Sequence, residues 1–236
     1  MLPVVWSCLW HFALYILPVA ALLFFIHDIL PVPREFFRKL LHGAAFTSTP
    51  IIMWISKDWR VAVLTLFIVG LAVWPILAVA ERYPRYADLL IERRQHEVRR
   101  SMLLLFWGNA ALVALCWGLW GKPEIASTAI LMWGPGDAAA ALIGKRWGRH
   151  HTGLPFADPK KTWEGTIAMC VTSTTMGAIC RVLGGGFSLP AALCSSIVAA
   201  LAGSYVELIT KRGYDTITVP FAIAAVLRVL TLTFFE

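Results

Sequence analysis

Apolar residues run through this chain in blocks of about 20, the length a helix needs to cross a bilayer. Most of the charged residues fall between those blocks. Eight blocks are predicted to be helical, at residues 4–26, 36–56, 60–80, 101–121, 124–143, 164–183, 188–210 and 217–235. The expected fold is all-α, a polytopic transmembrane helix bundle of about eight spans. With no polar linker to divide it, residues 1–236 are expected to form a single integral membrane domain. Two blocks depart from the pattern: the second is interrupted by His42 and Pro50, and the fifth, the least hydrophobic, contains Gly134-Pro135-Gly136-Asp137. Neither suits contact with lipid on every side. The first block is long and has no basic residue before it, so it is read as a membrane helix rather than a cleaved leader.

Composition agrees with that solvent. The chain is 58% hydrophobic and 15% charged, against about 25% charged in soluble domains, and its mean hydropathy is +0.70. The five cysteines all lie in apolar blocks and form no C-x-x-C pair, which points to small packing residues rather than disulfides or zinc ligands. The net charge of +7 would suggest nucleic acid in a soluble protein. Here the charges sit in short connections, no nucleic-acid-binding motif occurs, and topology together with anionic lipid accounts for them.

The distribution of Lys and Arg gives an orientation. Of the 21, sixteen fall in the odd-numbered connections and four in the even ones, with Arg228 inside the last helix. The positive-inside rule then places the odd connections in the cytoplasm and both termini outside. The third connection, Glu81 to Arg100, mixes charges with Leu89, Leu90 and Ile91 and is predicted to hold a short helix at the membrane surface.

The chemistry concentrates between Trp133 and Met169. An ionisable residue inside a predicted span marks a functional site by default, and Asp137 is one. Gly134, Pro135 and Gly136 just before it can break the helix and free backbone groups to bind something. The basic stretch Gly144–His151, with Lys145, Arg146 and Arg149, satisfies the positive-inside rule and would also offset a triphosphate. Thr162 is predicted to cap the sixth helix, and with Lys160 and Lys161 beside it that N-terminus is a natural phosphate site. Glu164 in the first turn complements the helix dipole and would equally suit a metal–phosphate site. Arg38, Lys39 and His42 stand near the start of the second helix. Arg38 and His42, four apart, share a face, and snorkelling to the interface is the alternative for Arg38 and Lys39. Glu207 closes the seventh helix, and Asp215, Thr216 and Thr218 precede Pro220. All these groups map to the cytoplasmic side of the topology above. Walker-A, H-E-x-x-H and G-x-S-x-G signatures are absent, and the formal G-x-G-x-x-A at Gly134 follows no strand.

At these positions the sequence resembles the membrane family of CTP-dependent lipid-alcohol kinases. Four blocks carry the resemblance in the family's order. Arg38-Lys39-Leu40-Leu41-His42 resembles its R-K-x-x-H. Gly136-Asp137 with the following Gly144-Lys145-Arg146-Trp147-Gly148 resembles its G-D block and glycine loop. Lys161-Thr162-Trp163-Glu164-Gly165-Thr166 resembles K-[ST]-x-E-G-[ST]. Glu207 with Asp215-Thr216-Ile217-Thr218-Val219-Pro220 resembles E…D-N-x-[ST]-[VL]-P, with Thr216 in place of the usual Asn. The central blocks also resemble phosphatidate cytidylyltransferase, although the H-G-G and D-R-x-D of that family's closing signature do not occur here.

The resemblance implies transfer of the γ-phosphoryl group of CTP to the hydroxyl of a lipid alcohol: a polyprenol, a phytol-like isoprenoid or a diacylglycerol. It implies Mg²⁺ held by Asp137 with Glu207 or Asp215. Lys145, Arg146, Lys160, Lys161 and Thr162 would bind the nucleotide, and Arg38, Lys39 and His42 the lipid head. Asp137, Lys161, Glu164, Asp215 and His42 would be the catalytic set. The partners implied are the lipid substrate, the nucleotide and the bilayer, with no nucleic acid and with a homo-oligomer left open. The alternatives are CDP-diacylglycerol synthesis and a transporter with an ion path through Asp137 and Glu207.

Overall fold

The computed structural model describes residues 1–30, 33–82, 97–155, 157–211 and 213–234. Among them are eight helices: α1 (Leu2–Ile29), α2 (Arg34–Ser56), α3 (Trp59–Ala80), α4 (Glu97–Val113), α5 (Pro123–Trp147), α6 (Trp163–Leu183), α7 (Leu189–Ile209) and α8 (Asp215–Phe234). α4 continues into a turn of wider π-helical geometry over Ala114–Leu119. The regular backbone is all-helical, and the predicted blocks match the helices to within a few residues. The proposed surface helix of the third connection falls largely on residues 83–96, outside the described residues.

Six helices are long and apolar enough to cross a membrane: α1, α3, α4 with its π-helical extension, α6, α7 and α8. The chain is a multi-pass integral membrane protein. The two remaining helices, α2 and α5, are the ones whose polar content stood out in the sequence. Both are continuous, as the predicted blocks require for α2, whereas in α5 the sequence allowed a break. α2 runs through His42 and Pro50 without interruption, and α5 runs through Gly134, Pro135 and Gly136. A proline in a helix removes one N–H and crowds the carbonyl four residues back, but packing on neighbouring helices keeps such a segment helical.

The chain forms two compact units, Met1–Gly118 and Leu119–Glu236. In the first, α1 packs on α2 and α3, and α4 packs on α3 and α2. Polar side chains tie these helices together where no water competes. Asn109 donates to Thr49 Oγ1 at 2.9 Å in a fully buried position, and Tyr15 meets the Thr47 hydroxyl at 2.5 Å. Trp107 stacks on Phe67 with centroids 5.2 Å apart, in space that any side chain at Gly70 would fill. The α2–α3 turn is two residues long: Lys57 takes the left-handed conformation, and Asp58 caps α3 by accepting from Arg60 N–H at 2.7 Å.

In the second unit α5, α6, α7 and α8 pack in a closed ring, each on the next and α8 back on α5. The α5–α6 contact is built mostly from small residues, with Met169 among them. Gly136, Ala140 and Gly144 recur every fourth position on α5, and Gly165, Met169, Ser173 and Gly177 do so on α6. A Cβ on Gly136 would collide with Ser173 Oγ, and one on Gly165 would lie 2.9 Å from the carbonyl oxygen of Ala140. Such stripes let backbones approach closely in membranes, where dispersion and hydrogen bonds replace the hydrophobic effect between helices. Ser173 adds a hydrogen bond to the Met132 carbonyl at 2.9 Å. Gly136, which could have opened the helix, instead seats it against α6. The outer faces of these helices are apolar and exposed, at Ile167, Val171, Ile197 and Leu201 among others. Cys8 and Cys116 are buried and Cys194 is exposed, and none of the five cysteines is in a disulfide.

Candidate active site

The C-terminal ends of α5 and α7 and the N-terminal ends of α6 and α8 lie at one end of the second unit's ring, as the antiparallel order of the helices requires. Of the polar residues singled out in the sequence, Lys161, Thr162, Glu164, Glu207 and Asp215 lie there. Lys161, just before α6, donates to the Glu207 carboxylate near the end of α7 at 2.5 Å and also to the Glu207 backbone carbonyl. One lysine thus neutralises an acid and satisfies a carbonyl of the last turn of α7, which has no partner within the helix. Glu207 is 6% exposed. A carboxylate so far from water needs a cation or a proton. Asp137 and Asp215 both act electrostatically on Glu207, so acids from α5, α7 and α8 share one field.

The acids do not stand at one level. Asp137 is eight residues before Lys145 on α5, which puts it about 12 Å further into the bundle. Asp215 is the first residue of α8 and accepts its neighbour's N–H, from Thr216, at 3.0 Å. Thr216, where the kinase family has Asn, is buried. Thr218 and Thr210 bond through their hydroxyls at 3.0 Å across the α7–α8 turn. Among the described residues, no three His, Cys, Asp or Glu side chains meet closely enough to hold a metal by themselves. Magnesium usually takes one or two carboxylates and completes its octahedron with phosphate oxygens and water. The dispersed acids fit an ion that arrives with a nucleotide better than one held in an all-protein cage.

The segment between α5 and α6 folds back on the start of α6. Thr162 caps the helix, its Oγ1 accepting from Gly165 N–H at 3.3 Å, as its position predicted. His151 and Thr162 form an antiparallel bridge. Thr152 N–H bonds the Lys161 carbonyl at 3.2 Å, and Trp163 N–H bonds the His150 carbonyl at 3.0 Å. Gly148 lies against Thr162, where a Cβ would meet both the Thr162 side chain and the Gly144 carbonyl. Glu164 Oε1 accepts from the backbone N–H groups of Arg149 and His150, at 3.1 and 3.2 Å, and meets His150 Nδ1 at 2.7 Å. Lys145, Arg146 and Lys160 are exposed around this segment. Arg146 lies over the Trp147 ring at 5.0 Å.

Arg38, Lys39 and His42 belong to α2 in the first unit, where Arg38 pairs with Glu35 at 2.6 Å and His42 is half-buried. Two features of the site were not read from the sequence. The Lys161–Glu207 pair spans 46 positions, and no local spacing announces it. The bond between Glu164 and His150 had a signal, an acid in a first turn 14 residues after a histidine in a short connection, but dipole complementarity already explained the acid.

The chain is similar to the phytol kinase of a Synechocystis species, 31% identical over 201 residues that cover 82% of this chain and 78% of that protein. No protein-family profile matches the chain, and no solved structure matches it. An apolar helix bundle with lysines and carboxylates gathered at one end, and a kinase as relative, defines a membrane-embedded phosphotransferase. The chain belongs to the family of lipid-alcohol kinases that contains phytol kinase.

Proposed function

We propose that this kinase transfers the γ-phosphoryl group of CTP to the hydroxyl of an isoprenoid alcohol of the phytol type, at the cytoplasmic face of the membrane and with both termini outside. The observation that carries the reading is the Lys161–Glu207 pair at one end of the second unit, with Asp137 and Asp215 acting on the same carboxylate. The phytol kinase relative supports the acceptor class, the motif resemblance supports CTP, and the Lys and Arg asymmetry supports the orientation.

Phosphoryl transfer is mostly positioning and charge stabilisation. Lys161, already placed against an acid, would balance phosphate charge together with Lys145, Arg146 and Lys160. Thr162 and the α6 N-terminus would direct backbone N–H groups toward an anion. Asp137, with Glu207 or Asp215, would hold Mg²⁺. The ion would supply charge neutralisation at the β- and γ-phosphates. In the reaction the alcohol oxygen bonds to the γ-phosphorus, the bond from that phosphorus to the bridging oxygen breaks, and CDP leaves. The hydroxyl proton passes to one of the carboxylates. Asp137, about two turns further into the bundle than Lys145, would face a hydroxyl whose hydrocarbon tail stays among the helices.

The test is purified protein in detergent with phytol, farnesol-type prenols, dolichol or diacylglycerol and CTP or ATP labelled at the γ-phosphate. The expected products are a phosphorylated prenol and CDP. Release of pyrophosphate, or preference for diacylglycerol over every prenol, would overturn the reading. Asp137→Asn is expected to abolish turnover while leaving insertion and thermal unfolding intact, and a variant that turns over normally refutes the role given to Asp137.

A further inference from the structure

Glu164 stands where a metal or phosphate contact would be expected, yet its carboxylate is already engaged. Oε1 faces two consecutive backbone N–H groups, those of Arg149 and His150, and the His150 ring nitrogen Nδ1. The second oxygen also lies 3.4 Å from His150 N. His150 is held from the other side as well, since its carbonyl accepts from Trp163 N–H at 3.0 Å. The histidine is therefore tied to the first turn of α6 by its donor, its acceptor and its side chain. Its own side chain is 77% exposed, so packing does not explain the arrangement. What the arrangement fixes is the path of the connection that carries Arg149 and Lys160 between the end of α5, with Lys145 and Arg146, and Lys161. Charge-assisted hydrogen bonds to backbone N–H groups are among the strong ones, and a carboxylate with two of them and an imidazole nitrogen beside it is satisfied without a metal.

We infer that Glu164 and His150 form a latch that positions the basic connection for the nucleotide, and that neither touches the reacting atoms. This rests on the nucleotide-dependent reading above and names the two positioning residues for it. The latch makes the cationic groups ready before the nucleotide arrives. Losing it leaves the chemistry intact but forces the nucleotide to order the connection itself, a cost that appears in binding rather than in the transfer step.

The experiment compares His150→Ala, His150→Asn and Glu164→Ala in the full-length purified protein. An Asn amide N–H can stand near the position of Nδ1, so His150→Asn is the conservative replacement. His150→Ala is expected to raise the nucleotide KM about tenfold, equivalent to about 1.4 kcal/mol, with kcat at saturating nucleotide within about twofold of the parent. His150→Asn is expected to recover most of that loss. The Mg²⁺ concentration for half-maximal activity stays unchanged in both. A fall in kcat at unchanged KM, a shifted Mg²⁺ requirement, or His150→Asn no better than His150→Ala overturns the inference. Hydrogen exchange of the Arg149 and His150 amides, read without any substrate, separates this from the functional reading. Slow exchange in the parent that becomes fast in Glu164→Ala supports the latch. Fast exchange in the parent overturns it whatever the enzyme does. A parent protein with slow exchange and no nucleotide turnover overturns the functional reading and leaves the latch standing.

Discussion

Gly165→Ala is the most informative single substitution in the second unit. The added methyl would lie 2.9 Å from the Ala140 carbonyl oxygen and 3.4 Å from Gly144 Cα. Ordinary contact begins at 3.4 Å, and the first of these atoms belongs to the rigid backbone of α5, so no rotamer change relieves the overlap. The two helices must separate by about 0.5 Å, and overpacking of this kind costs about 1–3 kcal/mol. The shift moves α5, which carries Asp137 and Lys145, relative to α6, which carries Thr162 at its start. A misplacement of about 1 Å costs on the order of 100-fold in rate, so half that displacement is expected to cost about tenfold. The assay is thermal unfolding in detergent alongside kcat/KM for lipid phosphorylation. Gly43→Ala is the control, because a methyl there meets only Phe46 at 3.8 Å; it is expected to leave both measurements within error. If Gly165→Ala matches the parent in both, or if Gly43→Ala does equal damage, then close approach of α5 and α6 does not set the site's geometry.

Two further outcomes follow from buried polar pairs. Lys161→Met strands the Glu207 carboxylate, and breaking a buried pair from one side costs about 3–5 kcal/mol. A clear fall in melting temperature is expected, and adding Glu207→Gln should restore stability but not turnover; a double variant no more stable than the single one rejects the pairing. Asn109→Leu removes the buried bond to Thr49, with an expected cost of about 0.6–2 kcal/mol for an interhelical hydrogen bond in a membrane protein. It should lower the unfolding temperature while kcat/KM stays unchanged, and equal stability would show that the bond contributes nothing net.

The helices were legible because a bilayer imposes length: a run of about 20 apolar residues has few other uses. α2 and α5 were recognised despite their polar content, but the reason for that content was misjudged in α5. Glycine beside proline was read as a possible break, whereas the recurrence of Gly136, Ala140 and Gly144 at every fourth position, matched by Gly165 and Gly177 on α6, is the signature of a close crossing. Thr162 as a cap was legible because capping is local, decided within three residues. The Lys161–Glu207 contact was not, because it is decided by how α6 meets α7. Glu164 shows the intermediate case. Its residue type and place on the helix were read correctly, but a carboxylate in a first turn can serve a dipole, a metal or a loop, and only the positions of the Arg149 and His150 amides distinguish them.

The apolar outer faces of α6 and α7, with Ile167, Val171, Ile197 and Leu201 turned away from the ring, have a kinetic consequence. A kinase of lipid alcohols and its acceptor share one two-dimensional solvent, so they meet by lateral diffusion and not from bulk water. The quantity that governs saturation by the acceptor is then its mole fraction in the bilayer. Adding inert phospholipid to proteoliposomes should slow phosphorylation at a fixed total amount of alcohol, whereas diluting the whole suspension with buffer at constant nucleotide should leave the rate per enzyme unchanged.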